Sequence, residues 1–489
     1  MRFTFLFFLS ITLFSCSVTT QFSKKADAIL LKDTAIMHGN IGISIYEPAT
    51  NKYLYRHNAE NYFIPASNTK LFTLYAGMKY LGDSLVGLRI KPNSSIHLVF
   101  PTGDPTFLHP DFKKQPVWDY LKKIGFINFD KHEINNIWRS EAWGNGWAWN
   151  DYNDDYMVER SPMPIYGNLI NFSLINDSLE IDTHEGTTNI NVTPVIYQNK
   201  IRFNSKIDDS KQFSLKRNIN DNIFFITNSN SIFHDQSIPL ITNGIYSTVH
   251  ILNDLLYDFK YDEEKKSDSL NIIKYKNEHK DYISVLKPKG KSDTVRIVNA
   301  YYGIFLKEST DTTGSIIIYS QPTDSLFKPM MHRSDNFFAE QTLLMASNEH
   351  IGYMSDEDMI DTLLKTDLKD IPQRPKWVDG SGLSRYNLFT PNDFVYILGK
   401  IKNEFGFDRI KNILATGGEG TLKYYFKKEA GFIYAKTGTL SNNCALSGYL
   451  ITKKNKLLIF SVLTNNYITG ATPIRRAVEK YIEFIRENY

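Results

Sequence analysis

The chain has 489 residues, which is too long for one hydrophobic core, and its 42% apolar and 22% charged residues are typical of an ordinary globular protein. We therefore expect two or three domains. The formal net charge is only +3 and basic residues are spread among acidic ones, so the positive field that nucleic-acid binding requires is lacking. Nucleic acid is excluded as a partner on this ground.

Residues 1–16 have the pattern of an export signal. A positive charge at Arg2 precedes an apolar run from Phe3 to Phe14, which is too short to span a bilayer as a permanent helix. The run ends at Ser15 and Cys16 and resembles a lipobox, in which a lipidated cysteine becomes the first residue. The alternative is a plain signal peptide with an incidental cysteine. Both interpretations predict export to the periplasm, and the first also predicts a membrane tether through Cys16.

The segment that follows predicts one short helix, two strands and a buried helix. The helix is expected over Phe22 to Leu31, and the strands over Gly42 to Tyr46 and Tyr53 to Arg56. From Lys70 to Leu81 apolar residues recur at helical spacing around most of the circumference, which predicts a helix buried inside a domain and beginning near Ser67.

Residues 85–298 have a different residue pattern. Short β-like runs are broken by polar residues, and aromatics and glycines cluster at Trp143 to Trp149. Aromatic residues and isoleucines are too frequent for a solvated tail. We interpret this region as one or two inserted, mainly β domains.

The C-terminal part predicts three successive strands and a closing helix. The strands are expected over Phe432 to Thr439, Cys444 to Thr452 and Lys456 to Leu463, and the amphipathic helix over Ile474 to Asn488. Short connections favour antiparallel pairing. We expect an α+β domain formed by residues 22–84 and 299–489, in which five antiparallel strands are flanked by helices. Cys444 is interpreted as a small core residue.

The pattern S-x-x-K occurs three times, beginning at Ser67, Ser284 and Ser325. Prolines follow the second and third copies closely, at Pro288 and Pro329, so only the first is expected to head a long helix.

Residues three apart on a helix share a face, which places the Lys70 amine beside the Ser67 hydroxyl. A lysine can take the proton of a serine only if burial or another cation lowers its pKa. Lys436 is the candidate second cation, in the segment Lys436-Thr437-Gly438-Thr439 at the end of a predicted strand, where the glycine lets a substrate backbone approach.

A third element, Ser334-Asp335-Asn336, precedes a helical stretch from Phe337 to Met345. Ser334 or Asp335 can simply cap that helix. In a catalytic interpretation Ser334 relays a proton between the base and a leaving amine, and the Asn336 amide holds the peptide group of the substrate.

The segments SNTK, SDN and KTG, in that order, match the S-x-x-K, S-D-N and K-T-G set of β-lactamases and penicillin-binding proteins. More narrowly, the chain resembles the class C low-molecular-mass penicillin-binding proteins, the D-alanyl-D-alanine carboxypeptidase/endopeptidase family. The supporting segments are Gly103 to Thr106, Asp379 to Arg385, Gly420 to Leu422 and Ala435 to Leu450. Asp379 to Arg385 is interpreted as a structural turn because its glycines are turn residues.

The resemblance implies a β-lactamase/transpeptidase-like fold and a serine D,D-peptidase that acts on peptidoglycan stem peptides and is acylated by β-lactams. It implies catalytic roles for Ser67, Lys70, Ser334, Asn336 and Lys436, and substrate binding by Thr437, Gly438 and Thr439. The backbone N–H groups of Ser67 and Thr439 would hold the oxyanion. Nothing in the sequence suggests a cofactor, and no metal site is expected.

Two other functions stay open at this point. One is a β-lactamase or esterase on the same fold, although the E-x-x-L-N segment of class A lactamases is not found between Asn336 and Lys436. The other is a lipoprotein that binds muropeptides or β-lactams without catalysis, whose expected sign would be the loss of a motif residue.

Overall fold

A computed structural model describes residues 20–91, 97–124, 127–129, 137–174, 181–182, 187–188, 190–204, 214–227, 235–266, 270–276, 282–288, 296–298 and 314–489. The predicted signal segment and Cys16 lie outside the described residues. None of the helices in the described ranges is long and apolar enough to cross a membrane.

The chain divides into two compact units. The first comprises the described residues within Met1–Ser84, Trp143–Trp149 and Pro322–Tyr489, and the second comprises those within Leu85–Ala142 and Asn150–Gln321. The aromatic cluster at Trp143–Trp149 therefore belongs to the first unit. The boundary expected near residue 298 stays a prediction, because residues 299–313 lie outside the described part of the chain.

The strands follow in chain order as β1 (Asn40–Glu47), β2 (Lys52–His57), β3 (Ser84–Lys91), β4 (His97–Pro101), β5 (Ile127–Phe129), β6 (Leu169–Leu174), β7 (Ile181–Asp182), β8 (Thr187–Thr188), β9 (Ile190–Thr193), β10 (Ile201–Asn204), β11 (Ser214–Arg217), β12 (Phe224–Thr227), β13 (Gln236–Pro239), β14 (Leu270–Lys276), β15 (Tyr282–Pro288), β16 (Arg296–Val298), β17 (Ile316–Pro322), β18 (Ala415–Thr416), β19 (Ile433–Leu440), β20 (Asn443–Ile451) and β21 (Leu457–Asn465).

The α-helices follow as α1 (Lys70–Tyr80), α2 (Pro116–Ile124), α3 (Tyr246–Lys266), α4 (Thr323–His332), α5 (Asn336–Ile351), α6 (Asp356–Lys365), α7 (Pro391–Phe405), α8 (Phe407–Ile413) and α9 (Ala471–Asn488).

The first unit is organised around an antiparallel sheet in the order β18-β19-β20-β21-β1-β2. Five of these strands are those that the sequence predicts from both ends of the chain. The sixth, β18, has two residues and pairs only with the beginning of β19, at Tyr434 and Ala435. Beyond Ala435, the described residues supply no strand on that side of β19, so this edge of the sheet is open next to the K-T-G motif.

Each face of the sheet is covered by helices, because side chains alternate along a strand. On one face, Leu446 and Leu450 join an apolar cluster with Tyr481 and Ile482 of α9. On the other face, Ser447 and Tyr449 are directed at helical segments: the Asn68 amide donates to the Ser447 hydroxyl at 2.7 Å, and the Tyr449 hydroxyl donates to a carbonyl of α7 at 2.7 Å. Helix α1 packs against α5 and α7.

The second unit is mainly β, with several small sheets and the helices α2 and α3. One sheet has the order β17-β3-β4-β5, so β17 lies next to the first strand of this unit. The prediction of an α+β protein with an antiparallel sheet, flanking helices and inserted β structure is confirmed.

Candidate active site

Ser67 lies in a single 3-10 turn, Ala66–Thr69, that leads directly into α1. Ala66 has a positive φ of 48°, in the left-handed region that residues other than glycine rarely adopt. This turn exposes part of the Ser67 side chain while Lys70, at the first position of α1, is fully buried. The predicted helix therefore begins at the motif.

The Lys70 amine lies among three oxygen acceptors. Its Nζ is 3.0 Å from Ser67 Oγ, 2.6 Å from Asn336 Oδ1 and 2.8 Å from the carbonyl oxygen of Ser381. A charged ammonium can donate to all three. A neutral amine can donate to Asn336 and Ser381, which only accept there, and turn its lone pair toward the Ser67 hydroxyl. Lys70 therefore has hydrogen-bond partners in both protonation states. The two states differ in the direction of the hydrogen bond between Lys70 and Ser67.

The S-D-N segment forms the turn before α5. Asp335 caps this helix, because its side chain accepts a hydrogen bond from the Phe338 N–H at 2.9 Å. Ser334 has a positive φ of 63° and Asn336 is the first helical residue. Asp335 therefore caps the helix, while Ser334 and Asn336 are the residues of the motif that are placed at the catalytic lysines.

The K-T-G strand, β19, places its lysine beside the S-D-N segment. Lys436 is fully buried, and its Nζ is 2.8 Å from Ser334 Oγ and 2.7 Å from the carbonyl oxygen of Thr437. Lys436 therefore reaches the first residue of the S-D-N segment and Lys70 reaches the third, so the three motifs form one cluster.

Burial lowers the pKa of both lysines, that of Lys70 to about 8. From the sequence, either burial or another cation was expected to lower the pKa of Lys70, with Lys436 as the candidate cation. In the structure burial is the main cause at Lys70, and the nearby carboxylates of Asp379, Glu340 and Asp335 raise its pKa. At Lys436, whose pKa lies well below its ordinary value, burial is again the main cause. Repulsion from Lys70 and from Arg475 lowers this pKa further.

Gly438 places the open edge of β19 against the nucleophile. A Cβ atom at this position would lie 2.6 Å from the Pro65 carbonyl oxygen and 3.1 Å from the Ser67 nitrogen. Any larger residue would therefore have to push the strand away from Ser67. Next to it, Thr437 is buried and Thr439 is exposed.

The sequence matches the D-Ala-D-Ala carboxypeptidase 3 (S13) family over residues 22–229 and 308–487. The chain belongs to this family. The resemblance inferred from the three motifs and the prediction of a serine-type carboxypeptidase are thereby confirmed.

Two curated proteins are similar over most of their length. A D-alanyl-D-alanine carboxypeptidase, DacB, of Haemophilus influenzae is 22% identical over 92% of this chain and 90% of its own. A D-alanyl-D-alanine carboxypeptidase of Actinomadura is 24% identical over 93% of this chain and 82% of its own. Among solved structures, penicillin-binding protein 4 of Haemophilus influenzae has the same fold, with a TM-score of 0.65, 18% identity and coverage of 95% of this chain and 99% of that one.

The loop that begins at Asp379 contributes more to this family member's site than the sequence interpretation assumed. Asp379 is fully buried and accepts four hydrogen bonds, from the N–H groups of Gly382 (2.8 Å) and Ser384 (2.6 Å), the Asn387 amide (2.7 Å) and the Trp147 indole (2.9 Å). The loop is a turn, as expected, but its Ser381 carbonyl also accepts from Lys70. The resemblance of the segment to the family was the signal for this role.

Glu340 was not singled out from the sequence. It lies four residues after Asn336, and therefore on the same side of α5. The side chain is fully buried, and its Oε1 accepts a hydrogen bond from the Ser381 N–H at 2.7 Å. Glu340 thus holds the backbone of Ser381 on its N–H side, while the carbonyl of the same residue accepts from Lys70. A glutamate inside an apolar helix is the sequence feature that could have suggested it.

The two other S-x-x-K copies lie elsewhere. Ser284 and Lys287 are in β15. Pro329 was expected to keep this copy from heading a long helix; Ser325 and Lys328 lie in α4, which continues through Pro329 and ends at His332. Both residues of this copy are exposed. The copy fails as a catalytic pair because its lysine is solvated rather than because it lacks a helix.

Cys444 is buried in the apolar cluster beneath α9, in agreement with its interpretation as a core residue. Burial raises the pKa of its thiol. No group of histidine, cysteine or acidic side chains in the described ranges has the arrangement of a metal site.

Proposed function

We propose that this chain is a penicillin-sensitive D,D-peptidase that cleaves the D-alanyl-D-alanine or D-alanyl cross-link bonds of peptidoglycan stem peptides through an acyl-Ser67 intermediate. The observation that carries the proposal is the hydrogen-bonded pair of Ser67 and buried Lys70, joined through Asn336 to the S-D-N segment that Lys436 also reaches. Family membership supports the choice of substrate. A solved complex of the Haemophilus influenzae penicillin-binding protein 4 with a β-lactam supports the sensitivity to these compounds.

In the acylation step, neutral Lys70 accepts the proton of Ser67 while the hydroxyl oxygen attacks the carbonyl carbon of the scissile bond. With the Lys70 pKa at about 8, roughly a tenth of the molecules carry the neutral amine at pH 7. The Asn336 and Ser381 oxygens then accept hydrogen bonds from the ammonium that forms. The developing oxyanion is assigned to the backbone N–H groups of Ser67 and Thr439.

The proton taken up by Lys70 has to reach the leaving amine before the bond breaks. Ser334 is the hydroxyl assigned to this relay: it gives its own hydrogen to the leaving nitrogen and takes up the proton of Lys70 in exchange, while its oxygen is oriented by the hydrogen bond from Lys436. Water then attacks the acyl-enzyme, and the same groups return the proton to Ser67.

The test is intact-mass analysis and peptide mapping after incubation with benzylpenicillin, together with release of D-alanine from a tripeptide that ends in D-Ala-D-Ala. We expect one penicilloyl adduct on the peptide that contains Ser67, and neither an adduct nor D-alanine release with Ser67→Ala. An adduct that persists on Ser67→Ala, for example at Ser325, would overturn the assignment of the nucleophile.

The same measurement separates the alternatives. A β-lactamase would form the adduct but lose it within seconds and release no D-alanine from the tripeptide. A protein that only binds muropeptides would form no covalent adduct.

We also propose that the protein is exported and held at an envelope membrane by lipidation of Cys16, with its catalytic unit in the periplasm. The support is the apolar run that ends at Cys16 and the location of peptidoglycan outside the cytoplasmic membrane.

A further inference from the structure

A cavity lies behind the K-T-G motif, on the face of the sheet that packs against α9. Cys444, Leu446 and Thr464 form part of its floor, and Val478 of α9 forms part of its wall. The space has a volume of about 360 Å³, which includes the part that is open to solvent. This volume is at the lower end of the range for small-molecule sites, so an occupant is limited to about one ring.

The cavity is separate from the catalytic cluster, because side chains alternate between the two faces of a sheet. Thr437 pairs with Leu446 across the strands, and the side chains of both line the cavity. The preceding residue, Lys436, pairs with Ser447 and reaches Ser334 on the opposite face. An occupant would therefore lie behind β19 rather than along the edge to which a substrate would add.

The lining is mainly apolar, but it contains a buried hydroxyl without a partner. Thr464 is 1% exposed, and its Oγ1 forms no hydrogen bond with any of the described residues. Its cross-strand neighbour is Cys444, whose thiol is only a weak hydrogen-bonding group. Buried hydroxyls in proteins are normally hydrogen-bonded. An apolar ligand with one hydroxyl group would supply this bond and match the rest of the lining.

Thr437 connects the cavity to the catalytic cluster. Its side chain lines the cavity, and its carbonyl oxygen accepts a hydrogen bond from Lys436 Nζ at 2.7 Å. The next residue, Gly438, packs so closely against the turn before Ser67 that a Cβ would lie 2.6 Å from the Pro65 carbonyl oxygen. The strand has little room to move toward the nucleophile, so an occupant that presses on Thr437 would disturb the contacts of Lys436 and the alignment of β19.

We propose that this cavity binds a small aromatic molecule with one hydroxyl group, and that its occupancy slows acylation of Ser67 by displacing Thr437. The hydroxyl of the ligand pairs with Thr464, and its ring packs against Leu446 and Val478. The binding is inferred from the cavity alone, whereas the effect on acylation rests on the proposed function. Because the ligand lies behind β19, it does not compete with a β-lactam for Ser67.

Phenol and fluorobenzene are the probes, because they have nearly the same shape and only phenol carries a hydroxyl. Their dissociation constants would be measured by NMR titration for wild type and three variants, before and after acylation by benzylpenicillin. Thr464→Val removes the hydroxyl with little change in shape, and Val478→Phe fills the cavity. Thr342→Val is the matched control, because Thr342 is a buried threonine of α5 whose Oγ1 also has no partner among the described residues.

We expect wild type to bind phenol with a dissociation constant on the order of 1 mM, in the range of ligands of this size. Thr464→Val should lower the preference for phenol over fluorobenzene by about 3- to 10-fold, the loss of one hydrogen bond, and Thr342→Val should keep it. Val478→Phe should bind neither probe. Saturating phenol should lower the second-order rate of Ser67 acylation by about threefold or more in wild type but not in Val478→Phe.

Four results would overturn the proposal: no saturable binding of phenol to wild type, loss of binding once Ser67 is acylated, an equal change of preference in Thr464→Val and Thr342→Val, or an unchanged acylation rate at saturating phenol. Wild type that binds phenol but is never acylated by benzylpenicillin would instead refute the proposed function, and the assignment of the cavity as a binding site would stand.

Discussion

Replacing Asp379 by asparagine tests how the loop around Ser381 controls the catalytic lysine. Each oxygen of the Asp379 carboxylate accepts two hydrogen bonds. Whichever way an asparagine amide is turned, two of these buried donors face an NH2 group and lose their acceptor. At about 1 to 3 kcal/mol for each unsatisfied donor, we expect the free energy of unfolding to fall by about 2 to 6 kcal/mol.

The same substitution should change the pH dependence of acylation. Asp379 is the strongest of the influences that raise the pKa of Lys70, so its removal lowers that pKa below about 8. Because the neutral amine is the base, the acylation rate rises with pH through this pKa, and the midpoint should move to lower pH. At pH 7 the rate relative to its alkaline plateau can rise by at most about tenfold, since roughly a tenth of wild-type Lys70 is already neutral.

Trp147→Phe is the control that separates charge from loop structure. It removes one of the four hydrogen bonds to Asp379, at about 1.5 to 3 kcal/mol, but keeps the carboxylate. Stopped-flow acylation by benzylpenicillin from pH 5 to 10 and urea unfolding would be measured for both variants. If Asp379→Asn remains folded with an unchanged midpoint, or if Trp147→Phe shifts the midpoint equally, the electrostatic argument is wrong.

Lys70→Arg should lower the acylation rate by about 10² to 10⁴ while Lys436→Arg has a milder effect, because a guanidinium cannot act as a base near neutral pH; equal rates for Lys70→Arg and wild type would show that the proton leaves by another route. Gly438→Ala should lower acylation by about tenfold or more through displacement of the strand from the nucleophile. Gly399→Ala, whose added Cβ meets only an ordinary contact at 3.9 Å, should leave the rate unchanged, and a normal rate for Gly438→Ala would refute the steric argument. Cys16→Ala should abolish labelling by a fatty-acid probe and release the protein into aqueous extracts, whereas equal extraction of both forms would favour a plain signal peptide.

The features that the sequence predicts correctly are local ones. Ser67 and Lys70 are three residues apart on one helical turn, so their contact follows from helix geometry alone. The strands that became β19, β20 and β21 follow one another along the chain and are joined by short turns, which favours antiparallel pairing. Their predicted and observed bounds differ by no more than two residues because each strand ends at a polar turn.

The features that the sequence could not predict depend on contacts between distant residues. The carbonyl that accepts from Lys70 belongs to Ser381, 311 residues away, and the indole that donates to Asp379 is separated from it by 232 residues. Periodicity describes which face of an element is buried, but it carries no information on which loop packs beside a helix terminus. The aromatic cluster at Trp143–Trp149 was therefore assigned to the inserted region, although it lies in the first unit.

Backbone strain is the least predictable part of the site. Left-handed conformations are usually signalled by glycine or asparagine, yet here Ala66 and Ser334 adopt them, one directly before the nucleophile and the other at the relay hydroxyl. Such conformations cost about 1 to 3 kcal/mol each and persist only where the surrounding packing fixes them. At Ala66, the Thr69 hydroxyl donates to its carbonyl at 3.0 Å, and Gly438 packs against the same turn. The motif residues therefore identify the reacting groups, whereas their positions depend on neighbours that hold two unfavourable backbone conformations in place.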